Sequence, residues 1–273
     1  MGRLEALFSP VEVSVETTEE PGVLAWRWNR QASRGQLQPI HLLPTLQLED
    51  LLGIDEQKHA LVENTRRFVA GLPANNVLLT GARGTGKSSL IKALLPRFGA
   101  QGLRLVEVDR DALADLPEIL ESLTSLSGSF IIFCDDLSFE AGEAHYRMLK
   151  SVLDGSMLSP TGHVLIYATS NRRHLVPEMM ADNQGTRHEA GEVHPADAVE
   201  ETLALSDRFG LWLSFYTIDQ DQYLQMARHW VEALGGAVAD ESAFHQEAIR
   251  WALRRGARSG RIALHFARDW VGR

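Results

Sequence analysis

Gly81-Ala82-Arg83-Gly84-Thr85-Gly86-Lys87-Ser88 matches the pattern G-x-x-x-x-G-K-[ST], and its flanks decide how it reads. Before it, Asn76-Val77-Leu78-Leu79-Thr80 is a short apolar run of strand type. After it, Ser89-Leu90-Ile91-Lys92-Ala93-Leu94-Leu95 has helical composition until Pro96. Strand, glycine loop and helix in that order form a phosphate-binding loop: the glycines let backbone N–H groups converge on phosphate oxygens, and a helix N-terminus adds its positive end. In such a loop Lys87 reaches the β and γ phosphates and the Ser88 hydroxyl ligates Mg²⁺. A chain of this length matches the pattern by accident on the order of one time in a hundred, and the correct flanks reduce that further. The motif leaves open the class of nucleotide protein.

Downstream, Phe130-Ile131-Ile132-Phe133-Cys134-Asp135-Asp136 is a continuous apolar run ending in two carboxylates. A buried parallel strand delivers its last residues in this way to its C-terminal edge, where ligands of open α/β sheets bind. Further strands are expected at Leu103 to Val108, His163 to Thr169 and Leu211 to Tyr216. Helices are expected over Glu56 to Ala70, Asp111 to Leu126 and Glu140 to Asp154. The chain after Tyr216 is helical throughout: Asp219 to Leu234, Asp240 to Arg254 and Ser259 to Val271, separated by glycines. The expectation is a P-loop α/β domain with a five-stranded parallel sheet over 48–217 and a small helical lid over 218–273. Residues 1–47 read as a hairpin-like appendage, in which Val11, Val13 and Val15 alternate, Thr17 to Gly22 turn, and Leu24, Trp26 and Trp28 alternate again. The two tryptophans then share one face, packed on the body of the domain or offered to a partner. The polar stretch Glu178 to Glu201 requires no fold.

Bulk properties narrow the setting. Of 273 residues, 44% are apolar and 23% charged, an ordinary globular balance with room for a sizeable core. Twenty-seven basic against 36 acidic residues give a net charge of −9, which argues against a whole-surface nucleic-acid or anionic-membrane binder. The one cysteine, Cys134, rules out an internal disulfide framework and, inside an apolar strand, reads as a packed small hydrophobe. Met1 to Ser9 lacks the apolar core of a signal peptide and no stretch approaches eighteen apolar residues, so a cytoplasmic location is expected. His188-Glu189 with His194 does not have the H-E-x-x-H zinc spacing. The arginines from Arg250 to Arg268 make the last helices basic, a pattern expected of a solvated face more than of a DNA patch.

Taken together, the P-loop, the Asp135-Asp136 strand, the strand running out at Asn171, Asp207-Arg208-Phe209 and the late Gly260-Arg261 resemble an AAA+ ATPase over about residues 48 to 273. The phrases Leu52-Gly53-Ile54-Asp55-Glu56-Gln57-Lys58, Ala74 to Leu79 and Phe133 to Glu140 more narrowly resemble a set of bacterial predicted AAA+ ATPases filed as a domain of unknown function. The resemblance implies ATP and Mg²⁺ as ligands, with Asp135 holding the metal through water beside Ser88. It implies Asn171 as the residue that positions attacking water, and Arg208 as an arginine finger offered to a neighbouring subunit's nucleotide. Arg261, or in competition with it Arg258, links the γ-phosphate to the lid. The binding set it implies is Gly53 and Ile54 about the adenine; Gly81, Ala82, Arg83, Gly84, Thr85, Gly86, Lys87, Ser88 and Ser89 about the phosphates; and Arg261. One departure falls on catalysis: such strands usually end Asp-Glu, whereas Asp136 stands where the water-polarising glutamate is expected. Asp136 itself or Glu140 then fills that role, and slow turnover is a plausible consequence.

The function these residues imply is an ATPase that oligomerises to complete its site, as a ring or spiral most often of six, and couples hydrolysis to remodelling or loading a macromolecular partner. A protein partner fits the acidic charge better than a nucleic acid. After the second strand, Asp109-Arg110-Asp111-Ala112 lacks the aromatic-hydrophobic-glycine loop of threading unfoldases. The alternative is a slow nucleotide-dependent switch; an initiator-like, DNA-linked ATPase needs a basic surface. A small-molecule kinase leaves the C-terminal helices and Asp207-Arg208-Phe209 unexplained. A GTPase lacks its N-K-x-D reader, because the segment after the Asn171 strand reads Ser170-Asn171-Arg172-Arg173.

Overall fold

A computed structural model describes residues 22–31, 34–41, 46–137, 144–154, 162–171 and 208–272. Seven strands form one sheet: β1 (Ala25–Gln31), β2 (Arg34–Pro39), β3 (Val77–Gly81), β4 (Leu103–Val108), β5 (Ser129–Cys134), β6 (Val164–Ser170) and β7 (Leu211–Phe215). Their order is β2-β1-β4-β5-β6-β3-β7, and every neighbouring pair is parallel except β1 with β2. The five expected strands are β3 to β7. Five was an undercount, because the Trp26–Trp28 stretch does not stay outside the α/β layer: β1 pairs in parallel with β4, Ala25 opposite Leu105, and carries β2 as the sheet's edge. The expected hairpin partner, Val11 to Val15, lies outside the described residues; β1 instead turns into Arg34–Pro39, a stretch with too few apolar residues to announce a strand.

The strands read as continuous apolar runs because both faces are covered. On one face Leu78, Val106, Phe130, Ile132 and Ile166 pack with Trp26, Trp28 and helices α4 (Leu116–Leu123) and α5 (Ala144–Leu153). On the other Val77, Leu79, Leu105, Ile131, Phe133 and Leu213 pack with α1 (Asp55–Val69), α2 (Lys87–Lys92) and α3 (Leu94–Phe98). Trp26 and Trp28 are 7% and 3% exposed, which settles their packing against the domain. Burying a tryptophan contributes about 4–6 kcal/mol each before ordering entropy is subtracted. The Trp28 indole N–H donates to Asp115 at 3.0 Å, Arg30 pairs with the same carboxylate, and the Gly35 amide donates to Glu118 at 3.2 Å, so the hairpin is pinned to the start of α4.

Local departures from expectation have local causes. The P-loop helix breaks at Ala93 into α2 and α3, since Pro96 cannot donate to Lys92 and its ring crowds that carbonyl. The helix expected from Asp111 begins as a 3₁₀ turn, Arg110–Asp115, and becomes α-helical only at Leu116. Helix α1 buries Asn64 and Thr65 beside its apolar Leu61 and Phe68, and the Tyr167 hydroxyl satisfies both at 3.0 and 2.9 Å. The last three helices, α6 (Gln220–Ala233), α7 (Glu241–Arg255) and α8 (Gly260–Val271), pack about Tyr223, Phe244 and Phe266 as a separate core. Asp219, Asp240 and Ser259 cap them, each side chain accepting from a backbone N–H of the first turn. Among the described residues no helix is long and apolar enough to cross a membrane.

Candidate functional site

Strand β3 lies between β6 and β7, and the chain leaves it for β4, two strands beyond its neighbour β6, so its C-terminal end is a switch point in the sheet. The P-loop starts there. Gly81 ends the strand at φ 131°, and a Cβ on it would lie 2.0 Å from the Phe215 carbonyl oxygen of β7, so a side chain is sterically excluded. Gly84, at φ 76°, faces the lid: its carbonyl accepts from the Gly260 N–H at 3.1 Å, and a Cβ there would meet that of Ser259 at 2.6 Å. The loop is therefore built against both β7 and the start of α8.

Lys87 is 5% exposed. Its ammonium donates to the Gly81 and Ala82 carbonyls, each at 2.7 Å, and to Asn171 Oδ1 at 3.1 Å. Burial holds it below the ordinary lysine range, partly offset by the carboxylates of Asp136 and Asp135. A buried ammonium resting on carbonyl oxygens is a cation poised for anionic oxygens. Ser88 Oγ donates to Asp135 Oδ1 at 2.6 Å, joining the first helical turn after the loop to the end of β5. A hydroxyl and a carboxylate so placed suit a Mg²⁺ ion that also takes phosphate oxygens. Among the described residues no group of three or more His, Cys, Asp and Glu side chains could hold a metal unaided.

Asp136 is the non-glycine residue of positive φ, 54°, among those described. Its Oδ1 accepts from Asn171 Nδ2 at 2.5 Å and its Oδ2 stands 3.5 Å from the Arg83 guanidinium. Lys87 and Ser88 at the start of α2, Asp135 and Asp136 after β5 and Asn171 after β6 thus come together as one polar cluster, the pairs Lys87–Asn171–Asp136 and Ser88–Asp135 being joined through Thr169. Glu140, the competitor for the Asp136 role, lies outside the described residues. Cys134 is fully buried, and burial pushes its thiol up to about 12, as suits a packed hydrophobe.

Two cavities border the loop. One, of about 290 Å³, is lined by Gly84, Thr85, Gly86 and Ser89 on the phosphate side and by Leu51, Leu52, Ile54, Met226 and Trp230 on the apolar side, with Asp50 and Arg261 at its edge. A polar cradle running into an apolar slot fits a nucleotide, with Ile54 against Gly86 where the base would enter. Gly53 is positioned by its left-handed φ of 73° beside Gln222. The other cavity, of about 490 Å³, is lined by Ala82, Arg83, Thr85, Tyr223, Leu253 and Arg258, so each competing lid arginine borders the P-loop on its own side. Sequence reasoning missed Met226 and Trp230, lid residues that belong to a helical period and carry no motif. It also missed the Gly260-to-Gly84 hydrogen bond, which is made by backbone. His229 joins Asp50 at 3.0 Å and so ties the lid to the segment before α1.

Arg208 is elsewhere. It precedes β7 by three residues, and β7 runs parallel to β3 with Leu211 beside Val77 and Phe215 beside Gly81. Arg208 therefore lies in the turn before β7, at the end of that strand away from the P-loop, with the strand's own length of roughly 13 Å between the two levels. Its guanidinium pairs with Asp154, just after α5. It thus stands at the opposite end of the β3–β7 pair from the P-loop.

Comparison with solved structures finds the Thermotoga maritima RuvB Holliday junction branch migration motor at TM-score 0.56 and 15% identity, covering 82% of this chain and 63% of that one. The replication initiator DnaA, solved with AMPPCP and single-stranded DNA, matches at TM-score 0.56 and 15% identity over 84% of this chain and 65% of that one. The Aeropyrum pernix ORC1 protein, solved with DNA, matches at 0.52 and 15%, over 80% and 61%. This chain spans less than two thirds of the length of each. The shared feature is the fold, a P-loop α/β module with helical lid of the AAA+ type. Among curated proteins no match is found. A family model described as "Protein of unknown function (DUF815)" matches residues 22–273.

Proposed function

Given that the chain belongs to the family described as Protein of unknown function (DUF815), we propose that it is an ATPase. It binds ATP with Mg²⁺ at the Gly81–Ser88 loop, hydrolyses it, and couples that cycle to remodelling or loading of a macromolecular partner. The observation that carries this reading is the connected group of Lys87, Ser88, Asp135, Asp136 and Asn171 beside a cavity with one polar and one apolar end. Lys87 with the loop amides binds the β and γ phosphates, and Arg261 or Arg258 meets them from the lid. Ser88 and, through water, Asp135 hold Mg²⁺, which supplies charge neutralisation at the transferring phosphoryl group. Leu52, Gly53 and Ile54 line the base. Asp136 accepts the proton of attacking water that Asn171 helps orient.

Arg208 acts in trans. Set before β7 at the end of the strand away from its own P-loop, it reaches a neighbour's γ-phosphate on leaving its local contacts, of which the pair with Asp154 is one. That makes a homo-oligomer, a ring or spiral of about six as in related modules, part of the active site. The acidic balance of the chain favours a protein over a nucleic acid as partner. The DNA in the DnaA and ORC1 structures and the Holliday junction in the RuvB title belong to those proteins.

A second reading has its own observation. The Asp136 carboxylate already accepts from Asn171 and stands 3.5 Å from Arg83, contacts that compete with an attacking water for it. On that reading the chain is a slow switch that changes shape on binding ATP. Steady-state hydrolysis by wild type, Asp136→Asn and Arg208→Ala, beside ATP affinity for each, separates the two. Robust wild-type turnover lost in both variants, with affinity retained, supports the ATPase; negligible turnover with ATP-dependent partner binding supports the switch.

A further inference from the structure

One buried hydroxyl joins both acidic residues of the site, Asp135 through its carboxylate and Asp136 through its backbone N–H. Thr169, the penultimate residue of β6, is 1% exposed. Its Oγ1 donates to Asp135 Oδ1 at 2.5 Å and accepts from the Asp136 backbone N–H at 2.9 Å, while its carbonyl accepts from the Leu137 N–H at 2.7 Å. The polarity of the hydroxyl is thereby set. Its one hydrogen is committed to Asp135 and a lone pair to Asp136. The β5–β6 ladder pairs Cys134 with Ala168, so these three bonds continue it past its last residue pair and around the turn at Asp136.

That turn is where the sequence departs from the usual Asp-Glu ending, and Asp136 adopts left-handed φ there. Aspartate tolerates this region better than most residues, but the conformation still needs support from its surroundings. Of the groups that contact the Asp136 carboxylate and backbone N–H, Asn171, Arg83 and Thr169, the hydroxyl of Thr169 is the one that also holds Asp135. Ser88, the other donor to Asp135, sits on α2 and is itself a ligand in the proposed Mg²⁺ shell. Thr169, inside the sheet, is the donor whose position does not depend on metal or nucleotide.

We infer that Thr169 is a positioning residue whose one hydroxyl orients the metal-holding Asp135 through its carboxylate and the water-polarising Asp136 through its backbone N–H. The inference rests on the nucleotide reading given above. Its role is to make the shorter Asp136 side chain reach its place by fixing the backbone turn beneath it.

The test compares full-length wild type with Thr169→Val, which replaces the hydroxyl by a methyl group of the same shape, and Thr169→Ser, which keeps the hydroxyl and drops the methyl. Lys87→Ala is the control for the nucleotide site. Affinity for a fluorescent ATP analogue is measured in EDTA and in Mg²⁺, with kcat and KM for ATP. Loss of an outer-shell partner of this kind lowers activity or metal affinity about 10- to 100-fold. Thr169→Val is expected to lower kcat by that amount and to lose the gain in analogue affinity that Mg²⁺ confers, with affinity in EDTA unchanged within about threefold. Thr169→Ser is expected to recover both. Equal defects in Thr169→Ser and Thr169→Val, or wild-type kcat and Mg²⁺ dependence in a folded Thr169→Val, overturn the inference. A wild type that binds the analogue but does not turn over sinks hydrolysis while leaving the Mg²⁺ dependence to decide on Thr169. A wild type that binds no more analogue than Lys87→Ala overturns the nucleotide reading and this inference with it.

Discussion

At the residue scale the chemistry turns on Asp136, whose carboxylate sits between Asn171 and Arg83 on a left-handed backbone. Asp136→Asn keeps the shape and the acceptor for Asn171 but cannot take a proton from water. It is expected to lower kcat about 10²- to 10⁴-fold with ATP affinity retained, measured by phosphate release and by analogue binding. Lys87 gives a pH signature. Burial holds its ammonium below the ordinary lysine range in the free protein, and bound phosphates would raise it again. Where pH reaches the free protein's Lys87 value binding then takes up a proton, so affinity for ATP is full below that value and falls as pH rises through it toward the ordinary range of about 10.4. Calorimetry in buffers of different ionisation enthalpy reads that uptake directly; affinity that is flat across this window contradicts it. The individual members of this group were legible because each ends a strand or opens a helix next to a recognisable pattern. Thr169 was not, since a threonine in an apolar strand is ordinary, and its use appears only when β5 and β6 are laid side by side.

At the element scale the β1–β2 hairpin shows where sequence periodicity stops being informative. Trp26 and Trp28 announced a strand with a buried face, but nothing in Arg34 to Pro39 announced its partner, and pairing with β4 joins residues about eighty positions apart. Gly35 is the pivot of that packing: a Cβ there would lie 1.8 Å from the Trp28 ring. Gly35→Ala is expected to push the indole off Asp115 and cost about 1–3 kcal/mol, read as a Tm lower by about 2–4 °C per kcal/mol in a chain of this size. Nucleotide affinity should change little, because the hairpin lies at the β4 edge, away from β3. In the P-loop the outcome reverses. Gly84→Ala combines a disfavoured φ with a contact on Ser259, so analogue affinity is expected to fall at least tenfold, checked by titration beside a Tm measurement that shows the domain still folded.

At the scale of the whole molecule, the lid and the sheet meet around the loop, while Arg208 stands at the far end of β7. The order of elements and the three lid helices were legible in the apolar runs and in the glycine breaks between helices. The choice between the two lid arginines was not, since Arg258 sits just before the last helix and Arg261 in its first turn, and they border neighbouring cavities. If Arg208 completes a neighbour's site, Arg208→Ala is expected to lose about 10³-fold or more in kcat without losing ATP affinity. An equimolar mixture of the Arg208→Ala and Lys87→Ala chains, each inactive by itself, should regain measurable turnover, because mixed interfaces pair an intact P-loop with an intact arginine. A mixture as inactive as its components contradicts action in trans.

The central claim is Mg²⁺-dependent ATP hydrolysis at the loop from Gly81 to Ser88. It is tested most directly by phosphate release from ATP by the purified wild-type chain, with Lys87→Ala and Asp136→Asn beside it, in Mg²⁺ and in EDTA. The account predicts release by wild type in Mg²⁺ alone, lost in both variants. Release that survives Lys87→Ala, or its absence from a wild type that is folded, oligomeric and saturated with ATP, would contradict it.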